Sequence, residues 1–214
     1  MSRLFQSWLP RWGRFLLALS MAGLLAGCAT TETVSARVTS FQDWPPATTG
    51  QSYRIVPSGP AQQNNLEFQT FADMVRAGMG TTGLVEALPG KPARFDVYFQ
   101  YGVSQTQVMV RRPYDPYMYG AWAPGFYGPG YWGGWGGYWG PEWVDTPMVA
   151  NRNSLMLEIR DGAQGGAEVY RASAFNISTD ATLMGVMPYL VRAIFDNFPG
   201  NNGAEREVQY TVGR

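Results

Sequence analysis

The sequence predicts an α+β domain in which two amphipathic helices cover one face of a mainly antiparallel β-sheet, interrupted by a long insertion rich in glycine and aromatic residues. Several segments alternate apolar and polar residues with the period of two that is typical of a half-buried strand. Two other segments repeat apolar residues every three or four positions, which is typical of one helix face. The predicted order along the chain is strands, helix, strands, long insertion, hairpin, helix and strand, and this order indicates an α+β domain.

The strands are predicted from alternation and from turn residues. After 95–103, the segment 106–110 either continues the strand or returns as another. Asp161-Gly162 and Gly165-Gly166 supply a hairpin turn between two later strands. The predicted strands cover 34–41, 53–56, 95–103, 155–160, 169–177 and 208–212.

The first helix is predicted between a polar cap and two glycines. Asn64 or Asn65 can accept hydrogen bonds from the free N–H groups of the first turn, and Gly78 and Gly80 are expected to end the helix. An apolar stripe of this kind can form a groove for a partner, but it faces the core in most proteins. The stripe consists of Phe68, Phe71, Ala72, Val75 and Met79.

A second helix is predicted after the hairpin. Thr179 or Asp180 is the expected cap, and Pro188 either kinks the helix or marks its first regular turn. The sequence Phe198-Pro199-Gly200 is expected to stop it. Its apolar face consists of Leu183, Met187, Leu190, Val191, Ile194 and Phe198.

The first 27 residues have the anatomy of a secretory signal peptide. Three arginines and no acidic residue accompany an apolar run at 15–25, and small residues follow it. An uncleaved membrane anchor is the alternative, but the run is shorter than the roughly 20 residues that span a bilayer. The predicted organisation is therefore a signal peptide at 1–27, a short tether at 28–33 and a single domain at 34–214.

The box Leu25-Ala26-Gly27-Cys28 resembles the lipobox of bacterial lipoproteins. The resemblance implies that Cys28 is acylated, with chains such as palmitate, and becomes the first residue of the mature protein. Ala29 follows the cysteine, and a residue other than Asp there implies sorting to the outer membrane. We therefore expect an outer-membrane protein whose lipid anchor holds the domain in the periplasm.

The composition excludes several kinds of active site. The chain has no histidine, so imidazole-based triads and imidazole zinc sites are absent. Its one cysteine is Cys28, and with Cys28 acylated, as the lipobox implies, no thiol nucleophile remains. The single lysine, Lys91, lies in a turn-like Pro-Gly-Lys-Pro setting. The mature chain has 13 basic and 16 acidic residues, a net charge of −3, which disfavours nucleic acid as a partner. We expect no metal, no cofactor and no catalysis; only a carboxylate pair remains as a catalytic option.

The insertion at 113–143 is the main candidate for a binding element. Its 31 residues include twelve aromatic residues, nine glycines and five prolines. Aromatic rings stack on sugars, and amphipathic Trp and Tyr settle at lipid headgroups; alternatively, the segment is a glycine-hinged low-complexity loop. Arg111-Arg112, just before it, either meets anionic groups or is a solvated strand end. The candidate interaction residues are Trp122, Trp132, Trp135, Tyr138 and Trp139.

Several of these features together resemble the bacterial lipoproteins of the domain-of-unknown-function 4136 (DUF4136) family. They are the lipobox, the strand start Arg94-Phe95-Asp96-Val97, the hairpin at 155–174 and the helix stop Phe198-Pro199. The resemblance implies a membrane-attached periplasmic domain without an established activity. It brings no catalytic residues to any position of this chain.

The sequence thus predicts a membrane-anchored lipoprotein that binds or scaffolds another envelope component, either peptidoglycan or an envelope protein, through the insertion. The alternative hypothesis is a carboxylate-dependent hydrolase of cell-wall glycan, in which the aromatic residues would serve as sugar platforms. Two carboxylates about 5 to 10 Å apart in a cleft beside the tryptophans would favour the hydrolase.

Overall fold

The computed structural model describes residues 32–114 and 142–212. Within these ranges all strands belong to one sheet of order β3-β2-β4-β5-β6-β1-β7. The predicted α+β class is confirmed, and the sheet is mostly antiparallel, although β2 runs parallel to both β3 and β4. The elements are β1 (Glu32–Gln42), β2 (Ser52–Ile55), α1 (Leu66–Met79), β3 (Val85–Glu86), β4 (Phe95–Tyr114), β5 (Glu142–Asp161), β6 (Ala167–Ser178), α2 (Leu183–Phe195) and β7 (Glu205–Val212).

Helix α1 begins at the predicted cap and buries the predicted stripe. The Asn65 side chain accepts hydrogen bonds from the backbone N–H groups of Glu67 and Phe68, which satisfies two otherwise free donors of the first turn. All five residues of the stripe are buried. Phe68 stacks on Phe99 of β4 with 4.6 Å between ring centroids. The stripe is therefore core, as expected.

Gly78 does not end α1, and that part of the prediction is wrong. The helix continues through Gly78 to Met79. A Cβ atom on Gly78 would lie 2.6 Å from side-chain carbons of both Val191 and Phe195 on α2, which is closer than side chains can pack. The glycine is needed for the close approach of the two helices, and Gly80 follows as the C-cap.

Helix α2 begins later and ends earlier than the pattern indicates. Its N-cap is Thr182, whose hydroxyl accepts from the Gly185 N–H at 3.3 Å, and not Thr179 or Asp180. The helix contains Pro188 and ends at Phe195. It packs on β5 and β6, and the buried Tyr170 hydroxyl donates to the Ile194 carbonyl at 3.1 Å.

The two helices pack on the same face of the sheet. They contact the side chains of every second residue along the strands. Phe99, which contacts α1, lies directly opposite Leu157 on β5, and Tyr170, which contacts α2, lies opposite Ile159. Residues opposite each other in a ladder share a face. The other face carries both charged and apolar side chains. Arg171 forms salt bridges there with Glu158 and Glu168, and the exposed Phe41 lies opposite Arg171 on β1.

Candidate functional site

Strands β4 and β5 form one long antiparallel hairpin around the insertion. Each strand has 20 residues, and the ladder runs without a break from the pair Phe95–Asp161 to the pair Tyr114–Glu142. The segment 106–110 therefore continues β4 and does not return as another strand. The outermost residues of the predicted insertion, 113–114 and 142–143, belong to the ladder.

The far half of this hairpin extends beyond the rest of the described sheet. Strand β2 pairs with β4 only as far as Val97, and β6 pairs with β5 only from Asn151 onwards. Helix α1 reaches β4 as far as Tyr101, on which Phe71 packs edge-on. Among the described strands, 103–114 thus pairs only with β5 and 142–150 pairs only with β4, and we call these two segments the ribbon. At about 3.3 Å per residue, the β4 segment of the ribbon is about 40 Å long.

One face of the ribbon carries exposed apolar side chains. Residues opposite each other in the ladder share a face, so the odd-numbered residues of both strands lie together. Four of them are large, apolar and more than half exposed. They are Val103 (53%), Met109 (67%), Trp143 (53%) and Val149 (59%).

The two arginines before the insertion lie near the far end of the ribbon, and both are exposed. Arg111 lies directly opposite Asp145 on β5, an arrangement in which opposite charges attract across the strands. The Arg112 guanidinium donates to the thioether sulfur of Met148. Both cations are therefore accessible at the point where the ladder leads into the insertion.

The predicted site residues themselves lie outside the described residues. They are Cys28, Trp122, Trp132, Trp135, Tyr138 and Trp139. What the structure brings together is the pair of chain ends from which the insertion departs, since the backbones of Tyr114 and Glu142 are direct ladder partners.

Asp161 is a buried carboxylate that the sequence indicated only as part of a turn. Its side chain is fully buried and accepts two hydrogen bonds from the Arg94 guanidinium, at 3.0 Å and 2.8 Å. Arg94, and to a lesser extent the backbone N–H of Ala163, lower the pKa of this carboxyl against the opposing effect of burial. A general acid needs the reverse, a raised pKa, so we assign Asp161 a structural role.

Many other described carboxylates also contact arginine. These contacts are ion pairs, and they give the glycan-hydrolase hypothesis no support. Besides Asp161, the carboxylates within 4.0 Å of an arginine nitrogen are Asp73, Glu86, Asp96, Glu158, Glu168, Asp196 and Glu207.

The face of the sheet that carries Glu158 and Arg171 has a shallow depression beside β4. Its volume is about 260 Å³, and it is open to solvent. Arg160 lies over the Tyr98 ring there, 5.6 Å from the centroid, and Glu158 is the carboxylate of the lining.

Residues 32–114 and 142–212 contain no cluster of His, Cys, Asp or Glu that could hold a metal ion. No helix in these ranges is long and apolar enough to cross a membrane.

Reasoning from the sequence missed the ribbon, although signals for it are present. The alternation at 106–110 and the apolar residues Met148 and Val149 indicate strand on both sides of the insertion. Pro113 and Pro147 obscure this pattern, because proline is normally taken as a strand breaker. Both prolines occupy odd-numbered positions, at which the backbone nitrogen points away from the partner strand of the ribbon. The β4–β5 ladder therefore needs no N–H group at either position.

Two solved structures are similar to this chain at low sequence identity. A PDZ domain protein from Parabacteroides distasonis matches with a TM-score of 0.49 and 8% identity, covering 90% of this chain and 42% of that chain. The PelC dodecamer from Paraburkholderia phytofirmans matches with a TM-score of 0.37 and 13% identity, covering 74% of this chain and 94% of that chain. None of the curated proteins compared with the chain matches it.

A family match covers most of the folded region. The match extends over residues 37–200, from β1 to the residues after α2. It includes the strand start at Arg94, the hairpin and the helix stop on which the resemblance was based. The chain belongs to the DUF4136 family, whose shared domain has no known function.

Proposed function

We propose that this protein is a lipoprotein of the outer membrane whose periplasmic domain uses the aromatic insertion to bind another component of the envelope. Its role is binding and not catalysis. The observation that supports this proposal is the ribbon. The two ends of the insertion are adjacent at its far end, about 30 Å beyond the rung Gln105–Asn151, which is the last rung whose β5 residue also pairs with β6.

The chemistry of the insertion suits sugars and interfaces. Tryptophan and tyrosine rings offer apolar faces together with a polar edge, so they stack on sugar rings and settle at a headgroup layer. Arg111 and Arg112, exposed where the ribbon meets the insertion, add cations that attract anionic groups. Peptidoglycan and envelope proteins are the proposed partners, in addition to the membrane that holds the anchor.

The ladder also indicates how the insertion can be removed. Ser154 donates to the Gly102 carbonyl at 3.2 Å, so even-numbered residues of β4 face β5, and Tyr114 and Glu142 form a hydrogen-bonded pair of the ladder. Such a pair is the one that a two-residue type I′ turn closes, for which Asn-Gly is the preferred sequence. Replacement of 115–141 by Asn-Gly is therefore compatible with every rung of the ribbon.

The test compares the full-length protein with two variants in binding assays. One variant replaces 115–141 by Asn-Gly, and the other changes Trp132, Trp135 and Trp139 together to Ala. We measure cosedimentation with purified peptidoglycan sacculi and with phosphatidylethanolamine–phosphatidylglycerol vesicles, and photocrosslinking to envelope proteins in intact cells. Because the proposal assigns binding to the aromatic rings, both variants should bind at least about tenfold more weakly, which corresponds to about 1.4 kcal/mol or more.

The control removes exposed apolar surface from the shaft of the ribbon. Val149→Ala should leave binding within about twofold of the wild type, and all variants should keep the thermal unfolding midpoint of the wild type within a few degrees. If the Asn-Gly variant binds as tightly as the wild type, or if the wild type binds neither probe and crosslinks to no protein, the proposal is wrong.

A further inference from the structure

Among the described residues, no strand pairs with the outer edge of β4 along the ribbon. On the side away from β5, β2 pairs with β4 only as far as Val97. The next carbonyl on this edge, that of Phe99, accepts from the Gln62 side-chain amide at 3.1 Å and from the Ser58 hydroxyl at 3.4 Å. Beyond Phe99, none of the described residues bonds to this edge. An unpaired edge of this kind is a template for another strand.

The parity of the backbone identifies which groups this edge offers. Successive residues of a strand direct their N–H and C=O groups to opposite sides. The Val97 carbonyl accepts from the Val56 N–H at 2.8 Å, and the Phe99 carbonyl also points outward, whereas that of Gly102 points towards β5. The odd-numbered residues therefore present both a donor and an acceptor to the open edge. They are Tyr101, Val103, Gln105, Gln107, Met109 and Arg111.

The two edges of the ribbon differ in a way that favours β4. Pro147 lies opposite Met109, so its nitrogen faces the outer edge of β5, and proline has no N–H to donate there. The outer edge of β4 has no proline before Pro113 and no charged residue from Tyr101 to Val110. The edge of β5 is thus interrupted, whereas that of β4 is a continuous template for strand addition.

We propose that this edge binds a second copy of the chain, with the two β4 strands antiparallel over Tyr101–Arg111 and with Thr106 at the two-fold axis. This alignment places Val103 opposite Met109 of the second copy and Gln105 opposite its Gln107. The two exposed apolar side chains, 53% and 67% accessible, would then cover each other. Cross-strand pairs of matched character stabilise a ladder, and this strand matches itself.

Charge complementarity also favours a second copy. The same alignment places Arg111 of the second copy opposite Tyr101, and the Tyr101 hydroxyl lies 3.4 Å from a carboxylate oxygen of Glu67 on α1. The cation at the far end of one ribbon would therefore meet a carboxylate on the helix of its partner. By two-fold symmetry this contact forms twice. No like charges face each other in the alignment.

The first experiment introduces proline into each edge of the full-length protein in detergent micelles. Gln107→Pro removes an N–H that faces the open edge of β4 and is not used in the ladder with β5. Val149→Pro makes the same change on the outer edge of β5 and is the matched control. Sedimentation should give a dimer for the wild type and for Val149→Pro, and a monomer for Gln107→Pro at the same concentration. A monomeric wild type, or equal dissociation of both variants, would overturn the proposal.

The second experiment tests the alignment through disulfide formation. Thr106 lies opposite its own counterpart at the axis, in a pair with Cα atoms about 4.5 Å apart, within the range that a disulfide spans. Thr106→Cys should therefore crosslink to itself on oxidation. Val108→Cys should not, although it should crosslink to Ser104→Cys when the two variants are mixed. Self-crosslinking of Val108→Cys as efficient as that of Thr106→Cys would contradict this alignment; the wild type, which has only Cys28, is the blank.

This inference goes beyond the proposed function and fails separately from it. Replacement of 115–141 by Asn-Gly leaves Tyr101–Arg111 unchanged, so that variant should still form the dimer even where it has lost binding to sacculi, vesicles or envelope proteins. A monomeric Asn-Gly variant would show that the insertion, and not the edge of β4, joins the two copies.

Discussion

Asp161 shows how one side chain can fix the position of a long element. It is the β5 member of the first rung of the hairpin, opposite Phe95, and its carboxylate binds both Arg94 and the backbone N–H of Ala163. The Gly162 N–H donates to the Arg94 carbonyl at 2.8 Å. These bonds hold the register at the base of the hairpin, and a one-residue slip there would turn every ribbon side chain to the other face.

Asp161→Asn should destabilise the domain and reduce its sensitivity to acid. Arg94 lowers the pKa of Asp161 in the folded state relative to about 3.9 in the unfolded chain. The pair therefore stabilises the fold fully above the unfolded pKa, and this contribution is lost as the pH falls through the folded pKa. Urea unfolding at pH 7 should show a loss of about 3 kcal/mol in the variant, and the difference from the wild type should shrink below about pH 4.

Asp96→Asn is the control for this prediction. Asp96 also pairs with an arginine, Arg54, but that arginine is more than half exposed, and exposed pairs contribute less than about 1 kcal/mol. Equal losses in the two variants at every pH would show that the Arg94–Asp161 pair has no special role.

Two buried asparagines show the limit of sequence patterns at this scale. Asn153 and Asn176 lie opposite each other on β5 and β6, and their amide groups donate to the carbonyls of Ala181 and Ser35. Their Oδ1 atoms are buried without a hydrogen-bond partner among the described residues. Polarity predicts exposure for both residues, whereas alternation places Asn153 in line with Leu155, and Asn176 in line with Ala174, on the buried face. The two signals disagree, and here the position in the strand decides.

At the scale of elements, the sequence predicts both helices correctly, but some of their predicted ends are wrong. Asn65 was one of two candidate caps and is the cap. For α2, residues 179–182 contain three polar candidates, and the pattern does not distinguish Thr182 from the earlier two. The sequence does not show which of the glycines after Val75 ends α1, for another reason. Position 78 has no room for a side chain because Val191 and Phe195 pack there, and these residues belong to a helix more than a hundred residues later in the chain.

Gly78→Ala should therefore destabilise the domain, whereas Gly80→Ala should not. An added Cβ at position 78 would force the side chains of Val191 and Phe195 to move, and such overpacking costs about 1 to 3 kcal/mol. Gly80 has a helical φ of −55° and open space around its Cβ position, so alanine should be neutral or should stabilise the fold by up to about 1 kcal/mol. Thermal and urea unfolding of both variants measure this difference; a stable Gly78→Ala protein would mean that the helices can separate without loss.

At the scale of the whole molecule, the fold class and the mostly antiparallel sheet followed from the sequence, but the strand order did not. Alternation identifies a strand and its two faces, not its neighbours. Strand β2 pairs with β4 although α1 and β3 lie between them in the chain. The two-residue β3 is too short to give any periodic signal. The length of the ribbon likewise depends on pairing between β4 and β5, which lie on opposite sides of the insertion in the chain.

The last prediction concerns the attachment of the whole molecule to the membrane. Strand β1 begins at Glu32, four residues after Cys28, and four residues span at most about 14 Å. An acylated Cys28 would therefore hold the start of the fold close to the headgroups. Two or more acyl chains, at about 0.8 kcal/mol per buried CH₂, make such attachment effectively permanent.

Cys28→Ser should remove this attachment and leave an unprocessed precursor or a soluble species, measured by cell fractionation and by mass spectrometry of the N-terminus. Ala29→Ser is the matched control and should be processed and recovered with the outer membrane like the wild type. Recovery of Cys28→Ser in the outer membrane, cleaved at the same bond, would show that the protein is not a lipoprotein.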